Sequence, residues 1–386
     1  MRILYVAYAP LSKQGAVPVH VGAIAGGLAK RGHEVTIIAP EFAKPFELEG
    51  VEVVFLRSRI GVAQGWARAA SRWIDKRKRD FDAIYHRDFY NCNRVIGRAK
   101  KAGIPTVLEV NGLVRDELDG YGLTVWVAGT LDWRFSLRRR LGLADSVIAV
   151  SPELRDFLAN LNGDESKFHF LPNGVDLGLY HFDKDKRSIR AELDLPVEGE
   201  LIGNVGSILP YHLESPIVEV VEMLSKNRED LRCLIVGGGP AEDEFRAKVD
   251  SSSVRDRFIF TGRVSQKKSA RYIGALDVAV TWSTPETARF CWPVRLSAFA
   301  AAGVPTVAPD WGVYRIFEEN GALISAAGGT AESTANAVDR LLTDKKLAEK
   351  ISHNGRKWAE NALGWDSVVD RTETILKGIV KPNNRS

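Results

Sequence analysis

Residues 293–312, PVRLSAFAAAGVPTVAPDWG, decide the fold. Residues 294–302 read as a helix, Gly303 as the residue that ends it, and 306–308 as a short apolar strand. Ala298, Ala300, Ala301 and Ala302 form a small face on which another element can pack closely. A helix that turns into a brief apolar strand is the repeating unit of a parallel α/β sheet, and the same unit recurs on the N-terminal side. Apolar runs at 201–205, 233–236, 258–261 and 278–281 precede this strand, each separated by enough chain for a helix. An earlier series lies at 3–7, 35–39, 51–56, 83–85, 106–110 and 147–150. The chain is therefore predicted to be α/β, with two doubly wound parallel sheets.

Length agrees with two cores: 386 residues exceed the usual single domain, and 45% of them are hydrophobic. The expected division is an N-terminal domain over 1–178, a linker over 179–200, a C-terminal domain over 201–364 and a final helical segment over 365–386 that crosses back to the first domain. Cys92, Cys233 and Cys291 stand far apart in no disulfide or metal-ligand spacing, so they read as buried thiols in a reducing compartment. The opening MRILYVAY is strand-like, with no signal-peptide pattern, and no apolar run reaches the ~20 residues of a bilayer span. A cytoplasmic protein is expected, and it could sit on the inner face of the cytoplasmic membrane. The net charge of +4 is modest but unevenly distributed.

The first strand leads to Gly15 and Ala16, a small-residue turn before a helix running to about Arg31. Such a turn presents helix N-terminal amides to an anion. The dinucleotide fingerprint Gly-x-Gly-x-x-Gly is absent, which argues against a dehydrogenase. His86, Arg87 and Asp88 stand at the C-terminal end of a strand, where open α/β sheets place ligands, and the His86–Arg87 pair, followed by aromatics, reads as a sugar or anion contact. Glu109 and Asn111 end the next strand, and Asn supplies a neutral donor and acceptor. Asp183 and Asp185 form an Asp-x-Asp pair in the linker, read as solvated carboxylates. In residues 64–79, QGWARAASRWIDKRKR, Trp66, Ala69, Ala70 and Trp73 share one helical face, with Arg68, Arg72, Lys76 and Arg79 beside it. With the basic stretch 132–140, this is the character of a helix lying on an anionic membrane. No nucleic-acid-binding motif accompanies the charge.

Several of these stretches resemble family 4 glycosyltransferases in order along the chain. Residues 293–308 are similar to the signature Pro-x-Lys-Leu-x-Glu-x-Met-Ala-x-Gly-x-Pro-Val-Val-Ala, with Arg295 at the Lys position. Pro172 to Asp176, PNGVD, match the family's Pro-Asn-Gly-Val-Asp, VGGGP matches its Val-Gly-x-Gly-Pro, and FIFTGRVS its Phe-x-Gly-x-Val. The resemblance implies the GT-B fold, two Rossmann-like domains facing a central cleft. It also implies a retaining, metal-independent transferase that moves a sugar from a nucleotide diphosphate sugar to a lipid-linked or polysaccharide acceptor. No cofactor is implied, since the nucleotide sugar is a substrate. Carried over by position, Gly15, Ala16, Gly206, Ser207, His212, Arg263, Val264 and Arg295 would meet the donor. His86, Glu109 and Asn111 would lie at the reacting sugar, with His20, Arg87 and Glu117 on the acceptor side. Other members carry His at the Asn111 position.

This chain departs from the pattern at the donor. The family's Glu-x7-Glu falls on Phe290 and Ala298, so the carboxylate that holds the donor ribose is missing, and Glu286 is the neighbour that could replace it. Ser207 and His212 stand where the family has a basic pair gripping the diphosphate. These departures also fit a second reading, a non-catalytic GT-B subunit of a glycan assembly complex.

Overall fold

The computed structural model describes residues 1–12, 15–58, 63–89, 92–113 and 136–380. The chain divides into two compact units. The first comprises Met1–Asn173, Phe290–Trp292 and the segment from Trp365; the second comprises Gly174–Arg289 and Pro293–Gly364.

In the first unit, β1 (Arg2–Val6), β2 (Glu34–Pro40), β3 (Val51–Leu56), β4 (Ala83–Arg87), β5 (Thr106–Val110), β6 (Ser146–Ala149) and β7 (Phe168–Phe170) form one sheet in the order β3-β2-β1-β4-β5-β6-β7. All its pairings are parallel. Between its strands and after β6, the described helices are α1 (Ala16–Lys30), α2 (Ala63–Lys76), α3 (Asn93–Lys101), α4 (Arg138–Leu143) and α5 (Pro152–Asn162). The local chemistry explains their ends. In α5, Ser151 accepts from the Leu154 amide, Pro152 opens the first turn, and Gly163 closes it in the left-handed conformation.

In the second unit, β8 (Leu201–Val205), β9 (Arg232–Val236), β10 (Phe258–Gly262), β11 (Val278–Val280), β12 (Thr306–Pro309) and β13 (Ile324–Ala326) run in the order β10-β9-β8-β11-β12-β13, again all parallel. Helix α6 (Lys186–Glu192) precedes these strands, and α7 (Ile217–Leu224), α8 (Glu242–Asp250), α9 (Gln266–Gly274), α10 (Pro285–Phe290), α11 (Val294–Ala302), α12 (Tyr314–Glu319), α13 (Ala331–Thr343) and α14 (Lys345–Trp358) connect them or follow the last of them. The strand order reverses between β1 and β4 in one sheet and between β8 and β11 in the other. At such switch points, loops leave in opposite directions and open a crevice at the carboxyl ends of the strands.

The small-residue stretch at 294–302 forms α11, with Gly303 at φ 64° and β12 after it. Seven of its nine residues are buried, and the backbone of Ala300 comes within 3.4 Å of where Gly355 of α14 would carry a Cβ. The terminal helix α15 (Trp365–Ile379) packs on α1 in the first unit, contributing Val368, Val369 and Leu376 to the core with Ile24 and Leu28. Each such side chain adds about 1.5–3 kcal/mol on burial. Strands β7 and β13 escaped the sequence reading because each has three residues at a sheet edge, too few for a period to show.

Residues 179–200 do not stand apart as a linker. Arg190 of α6 is buried in the second unit, bonded to the Ala275 carbonyl and to Asp277 at 2.6 Å. Asp185 caps α6 through the Ser188 amide, and Asp183 is an exposed carboxylate before it. The Pro-Asn-Gly-Val-Asp stretch is likewise architectural. The Val175 amide bonds the Leu363 carbonyl at 2.8 Å, and Asp176 caps the 3-10 turn Leu177–Tyr180.

Helix α2 corrects one part of the membrane reading, the use of its apolar face. Trp66 is 1% exposed and packs against Tyr8 and Phe89, while Trp73 lies on Phe81 beneath Arg77. Its apolar face builds the domain, and Gln64, Arg68, Arg72 and Lys76 face outward. In the stretch 132–140, Arg140 is 1% exposed and paired with Asp88, and residues 132–135 lie outside the described residues. Among the described residues, no helix is long and apolar enough to cross a membrane.

Candidate functional site

The first unit gathers polar side chains near the carboxyl ends of β4 and β5. Successive strand residues point to opposite faces, so Glu109 and Asn111 share one face, and the pairing of Arg87 with Glu109 brings Arg87 onto it. Helix α1 covers that face and supplies His20. Three polar side chains then meet one carboxylate oxygen. Glu109 Oε1 lies 2.7 Å from His20 Nε2, 2.8 Å from Asn111 Nδ2 and 3.4 Å from an Arg87 nitrogen. Glu109 is 1% exposed, and burial alone would raise its pKa. The charges and hydrogen bonds of His20, Arg87 and Asn111 outweigh burial and hold it at about 2. It is a fixed anion that orients three neighbours, which suits it poorly to exchanging protons near neutrality.

The same alternation separates His86 from Arg87. His86 pairs with Val6 and Leu108 and faces the other side of the sheet, stacked on Phe89 with ring centroids 5.5 Å apart. It is fully buried, and loss of solvent lowers its pKa to about 3. The sequence expectation that His86 and Arg87 act as one pair is thus corrected. Asp88 is committed to Arg140 and accepts from Cys92. Gly15 and Ala16 are exposed at the start of α1, with no side chain capping its amides. Glu117 lies outside the described residues.

In the second unit, the loop after β8, at the edge of the switch point, lies against the loop after β9. A Cβ at Gly237, where φ is 122°, would fall 2.1 Å from the Gly206 carbonyl oxygen, so only glycine permits this approach. Arg295, in the first turn of α11, lays its guanidinium against Gly206, with Cζ 3.0 Å from the position of a Cβ there. One of its nitrogens donates to Asn204 Oδ1 at 3.2 Å. A glycine loop with a fixed cation over it is chemistry for holding phosphate oxygens.

His212 does not supply a second cation. Its Nδ1 accepts from the Leu209 amide at 2.9 Å, which leaves the proton on Nε2. Burial, then the nearby Arg295 charge, lower its pKa to about 2. Ser207 and Arg263 are exposed, Val264 is half-buried, and the stem of Arg263 passes close to Gly238. Ala298 is 4% exposed inside the α11 packing, and the Phe290 ring meets Phe157 at 5.2 Å. Glu286 is exposed in the first turn of α10.

Two contributors escaped the sequence reading. Asn204 was visible as a polar residue inside the apolar strand LIGNV. Tyr314, whose hydroxyl meets Ser283 Oγ at 2.8 Å, carries no such signal. Among the described residues, no group of three His, Cys, Asp or Glu side chains could hold a metal ion.

Known proteins agree with this architecture. Residues 17–179 match Glycosyltransferase Family 4, and residues 185–358 match Glycosyl transferases group 1. A GDP-mannose-dependent alpha-(1-6)-phosphatidylinositol monomannoside mannosyltransferase of Mycobacterium tuberculosis is 25% identical over 249 residues, 63% of this chain and 64% of its own length. The alignment thus spans just under two thirds of that relative. A GDP-mannose-dependent alpha-mannosyltransferase of Mycolicibacterium smegmatis is 25% identical over 97% of this chain and 98% of its own. Among solved structures, Anabaena HepE in complex with UDP superposes with a TM-score of 0.78 at 17% identity, covering 98% of this chain and all of that one. With two family matches that together take in most of the chain, and two doubly wound parallel sheets, the protein belongs to the family 4 glycosyltransferases and has the GT-B fold.

Proposed function

We propose that this chain is an active glycosyltransferase that transfers a sugar from a nucleotide diphosphate sugar, with retention and without a metal, onto a lipid-linked or polysaccharide acceptor. The observation that carries the reading is Arg295 held over Gly206 at the switch point of the second sheet. Family membership and the nucleotide sugars named for relatives support it. Arg295 and the glycine-loop amides would take the diphosphate charge as the leaving bond breaks. Glu109 would hold Asn111 and Arg87 in place for the reacting sugars. A mannosyltransferase named for a phosphatidylinositol monomannoside supports a lipid-linked acceptor. A peripheral position on an anionic membrane, through exposed Arg68, Arg72 and Lys76, belongs to this reading. Vesicle flotation that requires anionic lipid and falls with salt is the expected signature, and equal binding to neutral vesicles would count against it.

One observation favours the non-catalytic reading: Ala298 is buried in helix packing and Phe290 is paired with Phe157, so neither family carboxylate is restored at its own position. Calorimetric titration with UDP, GDP and ADP decides between the two. Saturable binding of one nucleotide, weakened about tenfold or more in Arg295→Ala, supports the transferase. If Glu286 substitutes for the missing ribose ligand, Glu286→Ala weakens the same binding. Silence from folded protein across the panel supports the non-catalytic subunit.

A further inference from the structure

The second unit contains a cavity of about 660 Å³ at the amino ends of its strands, the edge opposite Gly206 and Arg295. One face of α14 lines it with Lys345, Ser352, His353 and Arg356, opposite Lys186 of α6 and Asp277 before β11. Its charges are unevenly satisfied. Asp277 already holds Arg190 at 2.6 Å and Lys186 at 3.1 Å, and Glu200 is paired with Arg228. Lys345 and His353 are exposed and have no partner among the described residues, and Arg356 gives one N–H to the Ala302 carbonyl at 3.0 Å. Among the described residues, Lys345 and Arg356 therefore face the space against one unpaired acid, Glu349.

The volume fits a small metabolite. The cations suit a phosphate group, and Glu349 and Ser352 suit hydroxyls on the same molecule. Arg356 also ties the cavity to the donor loop. The carbonyl it bonds is the last of α11, and Gly303, the next residue, lies under its guanidinium. Arg295 stands in the first turn of the same nine-residue helix. A ligand that draws Arg356 toward the cavity changes the grip on one end of α11 and shifts the cation at the other.

We propose that this cavity binds a hexose-phosphate-sized phosphorylated metabolite, and that its occupation changes nucleotide affinity through α11. The coupling rests on Arg295 serving the donor; the binding site does not.

The test is calorimetric titration of the full chain with glucose 6-phosphate, inorganic phosphate and glucose. The expected result is saturable binding of glucose 6-phosphate that survives Arg295→Ala and weakens about tenfold in Lys345→Glu and in His353→Ala, both at exposed positions. No saturable binding by folded protein overturns the site. So does binding that Arg295→Ala abolishes and Lys345→Glu leaves intact. Inorganic phosphate binding as tightly as glucose 6-phosphate overturns the sugar-phosphate assignment. Repeating the nucleotide titration with the cavity saturated should shift nucleotide affinity, and by linkage nucleotide should shift glucose 6-phosphate affinity by the same factor. Unchanged affinities overturn the coupling. The first titration needs neither donor nor activity, so it reads the cavity even if the transferase reading fails.

Discussion

Glu109 shows how one residue can organise a site without taking part in proton transfer. Its Oε1 receives His20, Asn111 and Arg87, and Glu109→Gln removes the charge that all three face. Loss of a buried anion that pairs a cation should cost about 3–5 kcal/mol of stability, whereas Asn111→Ala removes one bond to the carboxylate and should cost about 1.5 kcal/mol. Urea denaturation of the two variants checks this order. Equal losses would mean that Glu109 is one contact among several and no hub. The sequence marked Glu109, Asn111, Arg87 and His20 separately. Strand register and the placement of α1, which no local pattern contains, brought them to one oxygen.

Among the elements, α1 is the most constrained, because it meets the first sheet on one side and α15 on another. A Cβ at Gly27 would lie 2.6 Å from a methyl of Val369, closer than real contacts allow. At Gly22 the nearest atom, on Phe46, would be 3.9 Å away, an ordinary contact. Alanine is the better helix former by about 1 kcal/mol. Gly22→Ala should therefore raise the melting temperature and Gly27→Ala should lower it, since α15 must move to admit the methyl. Thermal melts of both variants check this, and a rise for both would show that α15 is loosely seated. Helix α2 makes the complementary point. Its amphipathic pattern was legible, yet the pattern does not say whether an apolar stripe faces lipid or the protein itself, and Trp66 faces the protein.

At the scale of the whole molecule, buried histidines link stability to pH. His86 and His212 have folded-state pKa values of about 3 and about 2, below the ordinary value of 6.5. The unfolded chain binds these protons first as pH falls. The stability they permit is therefore complete above about pH 6.5 and declines toward pH 3, by at most about 1.4 kcal/mol per pH unit for each group. Glu109, depressed from 4.5 to about 2, adds to the decline only below about pH 4.5. His86→Phe should flatten the slope between pH 6.5 and 4.5 in denaturation measured across that range. An unchanged slope would mean that the buried ring is protonated without cost.

Local sequence was enough for the two-sheet α/β architecture, the α11 helix with its glycine end, and the ordered matches to the family 4 glycosyltransferases. These depend on local period, turn chemistry and close backbone approach, which short stretches encode. Tertiary structure alone decided which marked residues meet. It divided His86 from Arg87 by one step of strand alternation, turned His212 into a neutral cap, and buried Trp66. It also set Arg295 over Gly206 across 88 intervening residues. Those outcomes follow from strand register and helix placement, which are settled by packing over the whole unit.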